Sequence, residues 1–435
     1  MATTAVARGL LRPRTWRTVL RAAALATAAG GGWIFVVAPL LGHFGGWFED
    51  FAAYLGAAQA AAAHADIYPS TLQQHPNVAF AGLDFIYPPF ALVLLMPLTW
   101  VPAQSAATIW LLLDVAATLT ACILLARTVL PATWPRVELA IIATFLYGAS
   151  TYNFWHGQMN PFILLLLVLG LRSWIRGQEV RCGVLIAVAA AIKVAPIVLI
   201  LLLLRRRWWQ GAAACAATFL LLAGAGIAAF GLHSTMEYVS SVLPLLSSDD
   251  GWLYIQSWDG VVNRLADHSV LVFQPEVVAI RAAVLALSAG SVLLAAWPVR
   301  PQRISVEARA GQFGAGVVAM LLAGSITWYA HDVHLLIAFA AAAVLVARHA
   351  PGHRALLSAL GATVFCYAVG VPVLIANASM DRLIALQHTG WWYPMLALTS
   401  LPAIASGVLL LTLVRAVRPQ PEPVVRRRTV AAIAA

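Results

Sequence analysis

Twelve apolar runs separated by short polar or arginine-bearing segments constrain this chain more than any other feature. They cover residues 19–41, 89–101, 104–125, 137–152, 161–175, 182–204, 208–230, 277–297, 313–328, 334–347, 355–375 and 392–414. Several fall short of the roughly 20 residues that a full bilayer crossing needs, so tilted, broken or re-entrant helices are expected among them. The composition agrees: 62% of the 435 residues are hydrophobic and 10% are charged, against roughly a quarter charged in soluble chains. The expected fold is an all-α polytopic transmembrane bundle of about 10–13 spanning or partly spanning helices, not a soluble enzyme. It forms a single integral-membrane domain over residues 1–435.

The net charge of +10 comes from arginines at the ends of the apolar runs. It reports topology, not nucleic-acid binding. The basic N-terminus (residues 1–18), Arg205-Arg206-Arg207 and the basic tail (416–435) belong in the cytoplasm by the positive-inside rule. The first long polar segment, 43–88, then lies outside, as does 231–276. A third polar segment covers 377–391. The first apolar run follows a basic stretch but lacks a convincing cleavage site, so it reads as an uncleaved span. Arg172, Arg176 and Arg181 also look cytoplasmic, which simple alternation cannot accommodate. Either a half-span at 137–152 or a split of 182–204 at Lys193–Pro196 resolves the conflict.

Lys193, the only lysine, lies inside the apolar run 182–204. A charge at membrane depth costs roughly 2.5–3.5 kcal/mol even on the most forgiving scale. One reading has the side chain snorkel to an interface or pair with an internal carboxylate such as Asp114. The other makes it an anion site, with Pro196 breaking the helix just beyond.

The first long loop opens on an amphipathic helix at 48–63, with Phe51, Leu55, Ala58 and Ala62 on one face and Glu49 and Asp50 in the first turn. Carboxylates are favoured there by the helix dipole alone. The flanking Trp47, Phe48, Phe51 and Tyr54 add a second reading, because rings that stack on a sugar beside a carboxylate that takes a proton make a sugar-handling site. Asn153, His156, Gln158 and Asn160 form a polar knot that either caps the next helix or touches substrate. His331 and His334, three apart, share a helix face while Asp332 points elsewhere. Imidazole is a common metal ligand, but no third ligand has comparable spacing, so the choice is between structure and hydrogen bonding or proton handling. No metal and no cofactor is expected. Cys122, Cys182, Cys215 and Cys366 are scattered through apolar runs without ligand-like spacing. Trp391, Trp392 and Tyr393 read as an interfacial aromatic belt. There is no Gly-rich phosphate loop ahead of a strand and no Ser-His-Asp set.

Five short motifs occur in one order: Asp50 after the first span, Tyr87-Pro88-Pro89 opening the second, Gly157-Gln158-Met159-Asn160-Pro161, Lys193-Val194-Ala195-Pro196, and Ser257-Trp258-Asp259-Gly260 followed by Arg264. This series resembles glycosyltransferase family 87 of the GT-C class, which includes actinobacterial mannosyltransferases and arabinofuranosyltransferases of lipid-linked glycans. The resemblance implies the GT-C type of bundle and a plasma-membrane enzyme of a bacterium with its site on the exterior side. It implies a polyprenyl-phosphate sugar donor and a glycolipid or cell-envelope glycan acceptor among the membrane lipid. On that resemblance Asp50 is the catalytic carboxylate and general base of an inverting displacement. Lys193 and Arg264 bind the donor phosphate. Tyr54, Tyr87, His156, Gln158, Asn160, Gln256, Ser257 and His334 contact substrate, and His331 matches a functional histidine after a Ser/Thr-Trp pair, here Thr327-Trp328. Ile255 stands where the family usually has Asn. The rival reading is a transporter or flippase of a lipid-linked sugar, whose polar groups would line a two-sided path. Here they gather around the loops assigned to the exterior.

Overall fold

The computed structural model describes residues 13–42 (side chains from 18), 48–68, 85–246, 252–266, 278–297, 305–371, 386 and 389–417. The sequence expectations for Trp47, Asp84 and the basic residues 1–12 and 426–428 lie outside them. The chain is all-α, and six of its helices are long and apolar enough to cross a membrane. In chain order the helices are α1 (Pro13–Gly32), α2 (Glu49–Ala62), α3 (Pro89–Leu95), α4 (Ala103–Val129), α5 (Arg136–Phe145), α6 (Gly148–His156), α7 (Asn160–Arg176) and α8 (Glu179–Ile192). They continue with α9 (Ile200–Arg205), α10 (Trp209–Glu237), α11 (Trp258–Ala266), α12 (Val278–Ala296), α13 (Val306–Ala323), α14 (Leu335–Ala347), α15 (His353–Phe365) and α16 (Trp392–Ala416).

In the bundle α7 packs on α4 and α8, α8 on α10, and α13 on α12, α14 and α16. The centre, around α7, α8, α13 and α14, is closed by Trp174, Phe313, Leu164, Leu167, Val317 and Ile337, all buried. On α10 and α12 the leucines Leu220, Leu221, Leu285 and Leu293 face outward. An exposed stripe of that kind suits lipid tails, which are as apolar as leucine.

Several expected spans are broken. The run 137–152 divides into α5 and α6 at Leu146–Tyr147. The run 182–204 divides at Lys193, which leaves the helix in an extended conformation (φ −149°, ψ 120°), and a 3-10 turn, Ala195–Leu199, restarts the chain. The chain is thus broken at both places to which the arginine pattern pointed. The run 313–328 is shifted: α13 starts earlier because Ser305 caps it, accepting from Ala308 N–H, and it ends at Ala323, so Gly324–Trp328 is not helical. Hydropathy missed that start because Glu307 and Arg309 lie in the first turn. The run 208–230 continues to Glu237, but Gly231 is non-helical (φ 82°, ψ 161°) and kinks it. In the amphipathic helix α2, Phe51, Leu55 and Ala58 are buried as expected, whereas Ala62 is exposed at the helix end. The aromatic belt needs one correction: Trp391 and Tyr393 are exposed, but Trp392 is buried with Leu253 and Leu396.

The tightest helix contact is between α8 and α10, where glycines let backbones touch. A Cβ on Gly183 would collide with Gly211 O, and one on Gly211 would lie 2.7 Å from Glu179 O. Gly224, on the same α10, meets nothing within 4 Å. Overpacking typically costs ~1–3 kcal/mol. Gly183→Val is therefore expected to lower the thermal unfolding temperature in detergent clearly, and Gly224→Val is expected to leave it nearly unchanged. Equal melting of the two variants would contradict the close approach.

Candidate active site

The site is assembled from helix ends. Phe48, the residue before α2, adopts a left-handed conformation (φ 69°), with its N–H donated to Trp155 O at 2.8 Å. A non-glycine residue in that region is uncommon and points to local strain. The turn that receives it carries Gly157, at φ +68°, whose missing side chain is required: a Cβ there would sit 2.7 Å from Phe51 Cβ and 3.0 Å from Phe48 Cδ1. Trp110, on α4, donates its indole N–H to Gly157 O at 2.8 Å and stacks on Phe51. The α2 start and the Gly157–Met159 turn are thereby held together, and Asp50 faces Gln158.

From there one hydrogen-bonded chain crosses the site. Gln158 Nε2 donates to Asp50 Oδ2 at 2.6 Å. Gln158 Oε1 accepts from Tyr87 OH at 3.1 Å, from Asn160 Nδ2 at 3.2 Å and from Tyr54 OH at 3.3 Å. Tyr54 OH also donates to Tyr87 OH at 2.9 Å. Asn160 Nδ2 reaches Asn153 Oδ1 at 3.0 Å, and Asn153 in turn donates to Ala330 O at 2.8 Å. At the far end Lys193 Nζ donates to Tyr87 OH and to Asn160 Oδ1, each at 3.5 Å, lies 5.1 Å from the Tyr87 ring centre, and meets His331 Nε2. The backbone of Trp328 holds the other ring nitrogen, with its N–H 2.8 Å from Nδ1.

No carboxylate among the described residues comes within ion-pair distance of Lys193. The expected alternative partner, Asp114, is fully buried, and neither of its carboxylate oxygens has a hydrogen-bond partner. Lys193 is thus a half-buried ammonium surrounded by neutral groups, a setting that suits an anion.

Asp50 is partly exposed (21%), and burial pushes its carboxyl up to about 6, against the opposing pull of the Gln158 hydrogen bond and the Lys193 charge. His156 Nδ1 stands 3.7 Å from Asp50 Oδ2. Burial lowers His156 to about 4, so the ring is neutral at pH 7 and the contact is not an ion pair.

Of the residues expected from sequence, Asp50, Tyr54, Tyr87, His156, Gln158, Asn160, Lys193 and His331 come together here. His334 lies one 3-10 turn beyond His331, buried, with neither ring nitrogen in a hydrogen bond. Gln256, Ser257 and Arg264 form a separate group. Arg264 is fully buried and donates to Trp252 O (2.8 Å), Ile255 O (3.0 Å), Ser400 Oγ (3.2 Å) and Thr399 O (3.4 Å). Its fork is engaged with backbone and hydroxyl acceptors, so in this structure it ties α11 to α16. Gln256 donates its side-chain amide to Leu253 O and its backbone N–H to Thr327 O at 2.7 Å, which connects this group to the turn carrying His331. Gln256 Oε1 and Ser257 Oγ are buried without partners.

Sequence reasoning missed two supports. Trp110 lies mid-span in α4, and nothing in its local sequence sets it apart. Tyr68, whose hydroxyl donates to Tyr87 O at 2.5 Å, is signalled only by its place in an otherwise polar loop.

Comparison with known proteins accords with this geometry. Residues 85–325, more than half of the chain, match the sequence profile of glycosyltransferase family 87. The match takes in Tyr87, Gln158, Asn160, Lys193 and Arg264 and stops short of Asp50 and His331. A curated relative from Mycobacterium tuberculosis (strain CDC 1551 / Oshkosh), a polyprenol-phosphate-mannose-dependent alpha-(1-2)-phosphatidylinositol pentamannoside mannosyltransferase, is 26% identical over 349 residues, covering 75% of this chain and 74% of the relative. No solved structure matches. The chain belongs to glycosyltransferase family 87 and is a membrane glycosyltransferase.

Proposed function

We propose that the protein moves a sugar, most simply mannose as in the relative's named activity, from a polyprenyl-phosphate donor to a hydroxyl of a lipid-linked or cell-envelope glycan. The reaction takes place at the exterior face of a bacterial plasma membrane. The observation that carries this reading is the pairing of a partly exposed carboxylate with a half-buried, carboxylate-free ammonium at opposite ends of one hydrogen-bonded chain.

Asp50 takes the proton of the acceptor hydroxyl. The hydroxyl oxygen then bonds to the anomeric carbon as the carbon–oxygen bond to phosphate breaks, and the phosphate leaves with the electron pair. This single displacement inverts the anomeric centre. Lys193 and His331 present N–H donors to the leaving phosphate, where negative charge grows in the transition state. Tyr54 and Tyr87, both buried with their hydroxyls on Gln158, shape the wall against which the sugar rests. Arg264 acts as a positioning residue: through the 252–257 turn it holds Gln256 and Ser257 against the segment that bears His331.

With purified protein, a polyprenyl-phosphate-mannose donor and a glycolipid acceptor, Asp50→Asn is expected to lower turnover by ~10²–10⁴, the usual loss for a general base. Because Asp50 must be ionised to act, kcat/KM of the wild type is expected to fall as pH drops through about 6. Gln158→Ala removes the hydrogen bond that favours the carboxylate, so the acid limb is expected to move to higher pH. Full turnover by Asp50→Asn would remove Asp50 from the mechanism.

Lys193→Ala is expected to raise the KM for donor far more than that for acceptor while melting near the wild-type temperature. Lys193→Arg is expected to restore donor use only in part, since a planar fork does not replace a compact ammonium. A large stability loss with unchanged donor affinity would make Lys193 a structural residue.

The placement of the site is tested by Glu49→Cys in a cysteine-free background. A membrane-impermeant thiol reagent is expected to label intact cells; labelling only after the membrane is opened would invert the topology.

A further inference from the structure

The one convergence of metal-ligand side chains among the described residues lies outside the hydrogen-bonded chain, at Asp66, His233 and Glu237, whose ligand atoms all fall within 4.8 Å of one another. Asp66 follows α2, and Tyr68 N–H donates to its Oδ1 at 3.2 Å. His233 and Glu237 lie four residues apart beyond the Gly231 break in α10, so they share a helix face and form a two-pronged chelate. The third ligand arrives from a distant part of the chain. Two further facts point to a cation. Neither carboxylate is ion-paired with a lysine or arginine among the described residues. Asp66 and His233 are exposed and Glu237 is half-buried, with its Oε2 closed off from solvent beside the Asp66 carboxylate.

From this geometry we infer that Asp66, His233 and Glu237 bind a divalent cation of intermediate hardness, Zn²⁺ or Mn²⁺. One imidazole with two carboxylates suits such ions, whereas Ca²⁺ and Mg²⁺ favour all-oxygen shells. The ion joins the loop after α2 to the helix after Gly231. That junction is next to the site: the Tyr68 ring lies 6.0 Å from that of Tyr238, the residue after Glu237, and Tyr68 OH holds the Tyr87 carbonyl. The cation therefore fixes the segment that carries Tyr87. Its ligands play no part in the displacement itself, so this inference stands or falls independently of the roles given to Asp50 and Lys193.

The test uses full-length protein in detergent, stripped with chelator and then equilibrated with Zn²⁺, Mn²⁺, Ca²⁺ or Mg²⁺. Bound metal after desalting and the thermal unfolding temperature are the readouts. The expected result is one equivalent of Zn²⁺ or Mn²⁺ retained, with a rise in unfolding temperature that Ca²⁺ and Mg²⁺ do not match. Glu237→Gln and Asp66→Asn, which keep side-chain size, are expected to weaken retention at least tenfold, as is His233→Ala. Asp50→Asn is expected to retain the metal like wild type, which separates this site from the catalytic one. Absence of retained metal and of any thermal shift in the wild type would overturn the inference, even if a variant failed to fold. Undiminished retention in all three ligand variants would overturn it as well.

Discussion

Backbone hydrogen bonds cannot be left unmade in lipid, so a membrane chain is helical wherever tails surround it and irregular only where protein or water shields it. The rest of this structure follows from that constraint. Phe48 precedes α2 in a left-handed conformation, Gly157 and Gln158 form the turn between α6 and α7, and Lys193 is the extended residue after α8. His331 sits in the 3-10 turn after the irregular stretch from Gly324 to Trp328. Apart from Tyr54, each polar side chain of the proposed site leaves the backbone at, or within a turn of, a helix end or such a break. The breaks are brought into register by close packing, above all by the glycine at 157 that admits Phe48 and Phe51.

Lys193 and Arg264 illustrate how differently two cations within the helix bundle can be accommodated. Arg264 is surrounded by carbonyls and hydroxyls that its planar fork matches one by one, and the helix pair α11–α16 is joined through it. Lys193 has two hydroxyl or amide oxygens at the outer limit of hydrogen bonding and an imidazole nitrogen. A fork whose donors are engaged by the fold stabilises structure. A point charge with long contacts retains attraction for an incoming anion.

Much of this was legible in the sequence. Hydropathy located the apolar helices because lipid leaves little choice of conformation, and Asp50, Gln158, Asn160 and Lys193 stood out because polar side chains are scarce between such runs. Pro196 beside Lys193 marked a break, and the arginine conflict demanded one. The start of α13 was illegible because its first turn is charged, yet Ser305 caps it. The inward turn of Trp392 was hidden by the usual interfacial preference of tryptophan. The anchoring of Arg264 between α11 and α16 could not be read from order along the chain, because it depends on acceptors supplied by Thr399 and Ser400. Motif order carries residue type well, but it does not carry which acceptors a side chain will meet.

Gln158 has a consequence for the traffic of protons. Its amide donates toward Asp50 and accepts from the tyrosine and asparagine side, so the two ends of the side chain are chemically distinct and fixed in direction. An amide of this kind passes polarisation along a chain but does not relay a proton, as a hydroxyl or carboxyl in the same place would. On the proposed mechanism, a proton taken up by Asp50 is insulated from Lys193 and from the departing phosphate. It leaves instead through the partly exposed edge of the carboxylate beside His156. Acid and anion are thus released by separate routes, and recombination within the site, which would favour the reverse reaction, is disfavoured by the identity of a single neutral side chain.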